Sequence, residues 1–557
     1  MNIFLLFFFI FIILPVFPIN GSFSEVYSSE LSAKCNFQHD DQNSKYQCYK
    51  HNIEHLVECI STTYTPNETS IMTQSPHPPE FVSNLTSVRS ELPTTVNFSG
   101  SQYTIWKSEV EPLSMPREKF DNIAEPSIAS NSTHVFYTGN YFAAKSKIGD
   151  EWKYVDPTFD FRGFYSQRGN VSNGNVTVSN QTDVNLFLAD QRTIFDPERN
   201  MFLWLRLGEP YLEGKVTNIL RLAVSNDTMK WTVFDFVPID IFRAPDIIES
   251  TFDYPQVILT NDFAYITSSL VIGDNCEREY GTILRISLND LSNSLNRLSK
   301  LTYTAVLDRN VTGIAPIDGS YNDTAYFGAH LKNTSNMKII KWEEDSNAIT
   351  NQTVSIAPWN NIRNSDYCGT DPSDSDLWWC KAHTSSRIRS AWLYNDSLNF
   401  MWNAITTYDN GATWKPYIDV ATFNINNNMS YDRKYHIADA SKQWIFGSAI
   451  PSFRGDLGVI AYYVTSNNTD PDINPYFNLA FGQFNHSSSR WDMIPLINST
   501  HSIPVKDEKN NDDHNFGDFI TIRQHPPHKN SYLWDIGGYV IVGNNYYDVA
   551  PYFIMVK

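Results

Sequence analysis

The sequence predicts an all-β fold, a β-propeller of four-stranded antiparallel blades, on three observations. Its 557 residues are 41% hydrophobic and only 18% charged, with 35 Phe, 30 Tyr and 14 Trp, which suits strands that bury rings between sheets and excludes a mainly disordered chain. From Ile105 onward, short apolar or alternating runs are punctuated by Asn, Asp, Gly and Pro, the texture of many short strands. Those runs also repeat. A chain of this length exceeds what one core ordinarily supports, and radial repetition accounts for it.

Residues 1–21 contain the apolar run NIFLLFFFIFIILPVF, followed by Asn20, Gly21 and Ser22. The run is short for a membrane span and reads as a secretory signal peptide. No Lys or Arg precedes it, so an uncleaved N-terminal anchor is the alternative, and the expected place is extracellular or the cell surface. Residues 22–60 form a small segment bearing Cys35, Cys48 and Cys59, and 61–104 are rich in Ser, Thr and Pro and read as a linker. Cys276 stands alone, while Cys368 and Cys380 bracket CGTDPSDSDLWWC. A disulfide between those two closes a short loop at small entropic cost and is the preferred pairing. Sequons at Asn67, Asn84, Asn97, Asn131, Asn170, Asn175, Asn180, Asn226, Asn310, Asn322, Asn395, Asn467 and Asn498 predict a glycoprotein.

Residues 105–557 carry the repeat. Seven segments, starting near Glu125, Asp190, Asp253, Gly313, Arg389, Asp456 and Asp518, share a polar or Gly start, an apolar strand, a turn and a second apolar strand. This gives seven blades, with six to eight compatible with the spacing. Helical periodicity is confined to Leu288–Leu298. Trp152, Trp231, Trp342, Trp414 and Trp491 are each expected to open an outer strand. Between two of these strands, Thr407-Tyr408-Asp409-Asn410-Gly411-Ala412-Thr413-Trp414 matches the Asp-box hairpin, in which the Asp accepts turn N–H groups, the Gly takes positive φ and the Trp plugs between sheets. Ser225–Trp231 (SNDTMKW) is a degenerate copy. On these motifs, residues 105–557 resemble a secreted member of the sialidase-like (BNR-repeat) β-propeller superfamily. Phe516-Gly517-Asp518-Phe519 is similar to the W-G-D-Y signature of secreted propellers of that kind.

A net charge of −19 and a pI near 5.1 exclude nucleic acid as a natural partner. The expected partner is a glycan or an extracellular protein, with membrane contact only through an uncleaved N-terminal segment and the oligomeric state left open. Loops at one end of the innermost strands of a propeller converge on the axis. Glu125, Asp190, Gln191, Arg192, Asp253, Tyr254, Arg389, Arg454, Asp456, Asp518 and Arg523 are therefore the candidates to line a funnel. The resemblance implies an arginine cluster that clamps a carboxylate, a nucleophilic Tyr and an Asp acid/base. Arg192, Arg389 and Arg523 are the candidate substrate-binding residues here, and Asp190, Asp253, Tyr254 and Asp518 the candidate catalytic ones. The F/Y-R-I-P motif that carries the family's first clamp arginine is absent.

No cofactor is implied, since neither a G-x-G-x-x-G nor a P-loop occurs. Asp371, Asp374 and Asp376, and Asp470, Asp472 and Asn474, offer oxygen ligands but complete no EF-hand and read as solvated acidic loops. His436, His514, His525 and His528 read as surface or satisfied core groups, and Trp378, Trp379, Tyr546 and Tyr547 as either stacking platforms or interblade residues. The sequence thus predicts a secreted or surface-attached propeller that binds glycans or proteins at its central funnel without turnover. The alternative is a sialidase-like glycoside hydrolase or lyase using the Asp, Tyr and Arg residues of the funnel.

Overall fold

The computed structural model describes residues 93–557 except 99–100, 111–124, 149, 156–164, 173–174, 179–188, 209–216, 248, 273–277, 296–299, 320–322, 333, 347, 360–386, 408–413, 433–434, 440, 466–475, 502–518, 527–532 and 544–547. The chain divides into two compact units, and the described residues all fall in the larger, His55–Tyr211 with Val216–Lys557. The signal, the six cysteines, both acidic loops, Asp518, His514, His528, Trp378, Trp379, Tyr546, Tyr547 and the turn of the Asp-box motif lie outside the described residues.

Seven sheets form a seven-bladed propeller of antiparallel four-stranded blades. The innermost strands are Ser127–Ser130, Arg192–Asp196, Ser250–Leu259, Ala315–Pro316, Ser390–Tyr394, Gln443–Pro451 and Thr521–Gln524, which open blades I to VII. Each lies beside the next, and the seventh returns to the first. Six of the seven expected starts fall at innermost strands. The exception is Asp456, which precedes the second strand of blade VI, Leu457–Thr465; the innermost strand there is Gln443–Pro451, whose Gln and Gly interruptions hide it from an apolar-run search.

The ring closes across the two ends of the described chain. Val549–Val556 pairs with Ser101–Glu109, which pairs with Thr94–Phe98, so residues near the N-terminal side supply the outer strands of blade VII. The propeller therefore includes Thr94–Phe98 and the start of Ser101–Glu109, which fall inside the stretch whose composition reads as linker. Blade II is likewise extended, by Tyr165–Ser172, which runs parallel to Trp231–Phe236, and by Asn175–Val178. Two short helices interrupt the strands, α1 at Pro238–Phe242 and α2 at Leu288–Asn293; α2 realises the one helical stretch in the sequence, and the Ser287 hydroxyl caps it by accepting from Asp290 N–H.

Burial follows from radial packing. A blade covers its neighbour on each side, so Met201–Gly208 (MFLWLRLG) is buried at every residue instead of alternating. The core is accordingly seven clusters, one between each pair of adjacent blades. Trp204, Trp231, Trp342, Trp392, Trp402, Trp444, Trp491 and Trp534 are fully buried in five of them. Trp231 and Trp491 lie in fourth strands and Trp152 just before one, whereas Trp342 lies near the end, and Trp414 at the start, of a third strand. At the Ser225–Trp231 turn, Asp227 Oδ1 accepts from Met229 N–H at 2.7 Å and Lys230 N–H at 2.9 Å, and Thr228 takes the positive φ of 57°. Burial of Asp227 opposes ionisation, but these amides and the Ser225 hydroxyl outweigh it and lower the carboxyl pKa.

Of the sequons named above, the described Asn97, Asn226, Asn310, Asn395 and Asn498 are exposed. Asn131 is 8% exposed and its Oδ1 accepts from Thr133 N–H and His134 N–H. Peptide mapping of protein from a glycosylating host is expected to find glycan at these five and none at Asn131.

Two predictions test the interblade packing. A Cβ on Gly328 would lie 2.3 Å from the Phe400 ring across the blade IV–V interface, so Gly328→Ala is expected to cost about 1–3 kcal/mol in urea unfolding. At the same interface His330 is 6% exposed between Trp359 and Trp402, with centroids at 5.0 and 4.8 Å. Burial, against the pull of Asp419, pushes its pKa from 6.5 down to about 4. The unfolded chain then binds a proton the folded chain refuses, so this stability is complete above pH 6.5 and is lost as pH falls toward 4, by up to about 3 kcal/mol. His330→Phe should flatten that part of the stability profile.

Candidate functional site

Five of the seven innermost strands share a kink near their start. Glu125 (φ 38°), Asp190 (52°), Tyr254 (52°), Gly313 (58°) and Phe446 (50°) are left-handed, each two residues before Ser127, Arg192, Gln256, Ala315 and Ser448 respectively. In blades III and VI the kink is a bulge, at Asp253/Gln256 and Ile445/Gly447. Four of the five residues have a Cβ that disfavours this conformation, so the surrounding structure must hold it. In blade III, Asn218 does so by clamping Phe252, donating to its O and accepting from its N–H, both at 2.7 Å. Asp190 Oδ2 accepts from the Tyr254 N–H at 3.2 Å.

Beyond the kinks, six innermost strands, from blades II to VII, bound an axial cavity of about 60 Å³ lined by Arg192, Gln256, Asp318, Arg389, Ser390, Ser448, Thr521 and Arg523, among others. Arg192 and Arg389 are 7% and 8% exposed. Arg192 Nε donates to Pro255 O at 3.2 Å, and its guanidinium lies 3.2 Å from the Phe519 centroid. The Arg389 guanidinium lies 5.3 Å from the Tyr254 ring and 5.7 Å from Phe446. Arg523 reaches across the axis from blade VII and donates through Nη1 to Asp318 Oδ2 of blade IV, while Gly319 N–H donates to Asp318 Oδ1 at 2.8 Å. The Arg523 Nε is buried with no hydrogen-bond partner among the described residues. Burial, then the Arg192 charge, push the Arg523 pKa down to about 9. It stays charged at neutral pH, and the Asp318 carboxylate favours that form. Among the described lining residues, three guanidiniums stand with one carboxylate, in a chain whose net charge is −19.

At the leading end of the cavity, Tyr254 and Phe519, 4% and 2% exposed, stack at 4.5 Å with 22° between planes. Arg387 lies 4.9 Å from the Tyr254 ring. Its Nη2 pairs with Asp253 Oδ2 at 2.5 Å and Glu279 Oε1 at 3.4 Å.

The structure thus brings Arg192, Arg389 and Arg523 to one cavity and places Tyr254 beside it. Asp190 and Asp253 are not among the lining residues; the first holds the Tyr254 backbone and the second an arginine. Arg454 and Asp456 sit in the hairpin between the first and second strands of blade VI, where Ser452 N–H donates to Asp456 O, at the opposite end from the kinks. Gln191 is buried and serves the backbone of blade I, with Nε2 donating to Gly139, Asn140 and Phe142 carbonyls. Glu125 and His436 are buried, and His525 Nδ1 meets Asp535 Oδ2 at 2.8 Å.

Sequence reasoning missed Asp318, Arg387 and Glu279 as site residues. The R-x-R pattern of Arg387 and Arg389 places both on one side of an extended chain and was a legible signal. Asp318 follows an innermost strand of two residues, too short to register as an axial position.

Replacing Arg387 by Met leaves Asp253 and Glu279 without their shared cation. We expect a loss of about 3 kcal/mol, measured by urea unfolding.

No protein-family model matches the chain, and no curated protein matches it. Among solved structures it is similar to Penicillium chrysogenum alpha-L-arabinanase in complex with arabinobiose, at 10% identity over 66% of this chain and 92% of the arabinanase, with a TM-score of 0.35. It is similar to a Trypanosoma rangeli sialidase mutant displaying trans-sialidase activity, at 8% identity, 70% and 56% coverage and a TM-score of 0.35. An oligogalacturonate lyase in complex with manganese is similar at 10% identity, 84% and 96% coverage and a TM-score of 0.36.

Proposed function

We propose that this chain is a secreted or surface-attached propeller that binds an anionic group of a glycan or extracellular protein in its axial cavity, without turnover. The observation that carries the reading is the convergence of Arg192, Arg389 and Arg523 on one cavity in an otherwise acidic protein. Each is held by the fold, so little ordering remains on binding. Guanidinium is also the side chain best matched to carboxylate and sulfate geometry. Secretion is supported by the apolar N-terminal run and by exposed sequon asparagines.

The second reading, a sialidase-like hydrolase or lyase, draws on Tyr254 lying beside the arginines with Asp253 adjacent in sequence. Against it, the Tyr254 ring is stacked and the Asp253 carboxylate is committed to Arg387.

Calorimetric titration with acidic and neutral oligosaccharides tests the first reading. Acidic ligands should bind, and Arg389→Ala or Arg523→Ala should weaken them at least about tenfold, the worth of one charged hydrogen bond. Equal binding of neutral ligands, or no loss in the variants, would overturn it. New products from those oligosaccharides, abolished by Tyr254→Phe, would establish the second reading instead.

A further inference from the structure

Each blade ends in an outermost strand, and the free edge of such a strand is a row of N–H and C=O groups that a second chain can join. Proteins blunt these edges with charged residues, Pro, bulges or shortness. The described outermost strands divide on that criterion. Lys153–Val155 (KYV) and Ser430–Asp432 (SYD), of blades I and V, are three residues long and each hold a charge. Tyr303–Asp308 (YTAVLD) of blade III ends in Asp308, which pairs with Lys338 at 2.5 Å. Arg490–Ile497 (RWDMIPLI) of blade VI holds Arg490, Asp492, Pro495 and a bulge beside that proline.

Blades II, VII and IV end instead in Asn175–Val178 (NVTV), Thr94–Phe98 (TTVNF) and Ile349–Ser355 (ITNQTVS), which contain no charge and no Pro. Their pairing with the neighbouring strand runs without a bulge. Each of the three contains the Asn of an N-x-Ser/Thr sequence, Asn175-Val176-Thr177, Asn97-Phe98-Ser99 and Asn351-Gln352-Thr353, and the other four outermost strands contain no Asn at all. The contrast is sharpest in blade IV, where Thr350, Asn351, Gln352 and Thr353 are exposed in succession. Both faces of that strand therefore stand in water. Seven uncharged residues rich in Ile, Thr, Val, Asn and Gln are also the composition that joins edge to edge.

We propose that N-linked glycans at Asn97, Asn175 and Asn351 cover the uncharged outer edges of blades VII, II and IV, in the place that charge, Pro and bulges fill on the other four, and so keep copies of this chain from pairing edge to edge. In the modification the Asn side-chain nitrogen loses a proton and bonds the anomeric carbon of an oligosaccharide, displacing the polyprenyl pyrophosphate that carried it. A branched glycan is far wider than the roughly 4.8 Å between paired strands, so a second strand cannot approach past it. The modification rests on the secretion reading above, and the covering role is tested apart from it.

The full chain secreted from a glycosylating host is mapped by peptide mass spectrometry, and its self-association is measured by sedimentation velocity. Glycan is expected at all three positions. A bare Asn351 beside glycan at Asn226 and Asn310 would overturn the proposal and leave secretion standing, whereas no glycan at any sequon would overturn both. Thr353→Ala removes the blade IV sequon and should raise the association constant at least about tenfold, equivalent to one or two new hydrogen bonds. Asn351→Gln should do the same if the first variant folds poorly, as judged by its unfolding midpoint. Adding Gln352→Lys to either should restore wild-type behaviour, because a charge then blunts the edge. Thr312→Ala removes the sequon of Asn310, which lies in a turn, and should leave association unchanged. No rise in the blade IV variants, or an equal rise in Thr312→Ala, would overturn the covering role.

Discussion

Everything in this molecule depends on one constraint, that a four-stranded sheet with two apolar faces must find a covering sheet on each side. A single blade cannot satisfy it, and an open stack would leave two faces in water. Only a closed ring buries every face. Closure is what makes blade VII composite, with Ser101–Glu109 and Thr94–Phe98 laid against Val549–Val556. The seam is further tied by buried tyrosine hydroxyls. Tyr137 of blade I donates to Gly538 O at 3.0 Å, and Tyr462 of blade VI donates to Tyr539 O at 3.0 Å while accepting from Tyr539 N–H at 2.9 Å. Burial raises both phenol pKa values, which keeps them donors.

Closure in turn fixes what happens on the axis. Seven parallel innermost strands leave a narrow channel whose polar groups have little access to bulk water, so each charge there needs a partner from another blade. Arg523 takes Asp318 from the far side of the ring, Arg387 takes Asp253 and Glu279, and Arg192 and Arg389 rest on aromatic faces. What sets the cavity apart is that Arg192, Arg389 and Arg523, from three different blades, all line it.

Much of this was legible in the sequence because the ring repeats. The fold class, six of the seven blade starts and the three arginines follow from apolar runs at regular spacing and from polar residues at their heads. The seventh start failed because Gln443–Pro451 carries Gln443, Gly447 and Ser448 within it; an innermost strand that lines a polar cavity cannot be wholly apolar. The place of Thr94–Phe98 in the propeller was hidden for a different reason. Thr94–Phe98 and Ser101–Glu109 are outer strands, half covered, and their Thr and Ser content matches both an exposed strand edge and a linker. Asp318 and Glu279 were illegible because their roles come from partners on other strands, far away in sequence.

The kink positions show where local rules were overridden and why. Blade IV meets the left-handed requirement with Gly313, the residue that adopts it at least cost. Blades III and VI place Tyr254 and Phe446 at the equivalent point, and both rings face Arg389. A glycine there would remove the backbone strain and also the ring that lies against the Arg389 guanidinium. Strain is thus retained at positions where a ring does something a glycine cannot. Violations of propensity that recur at one structural position in several blades therefore mark the site more sharply than any motif in the chain.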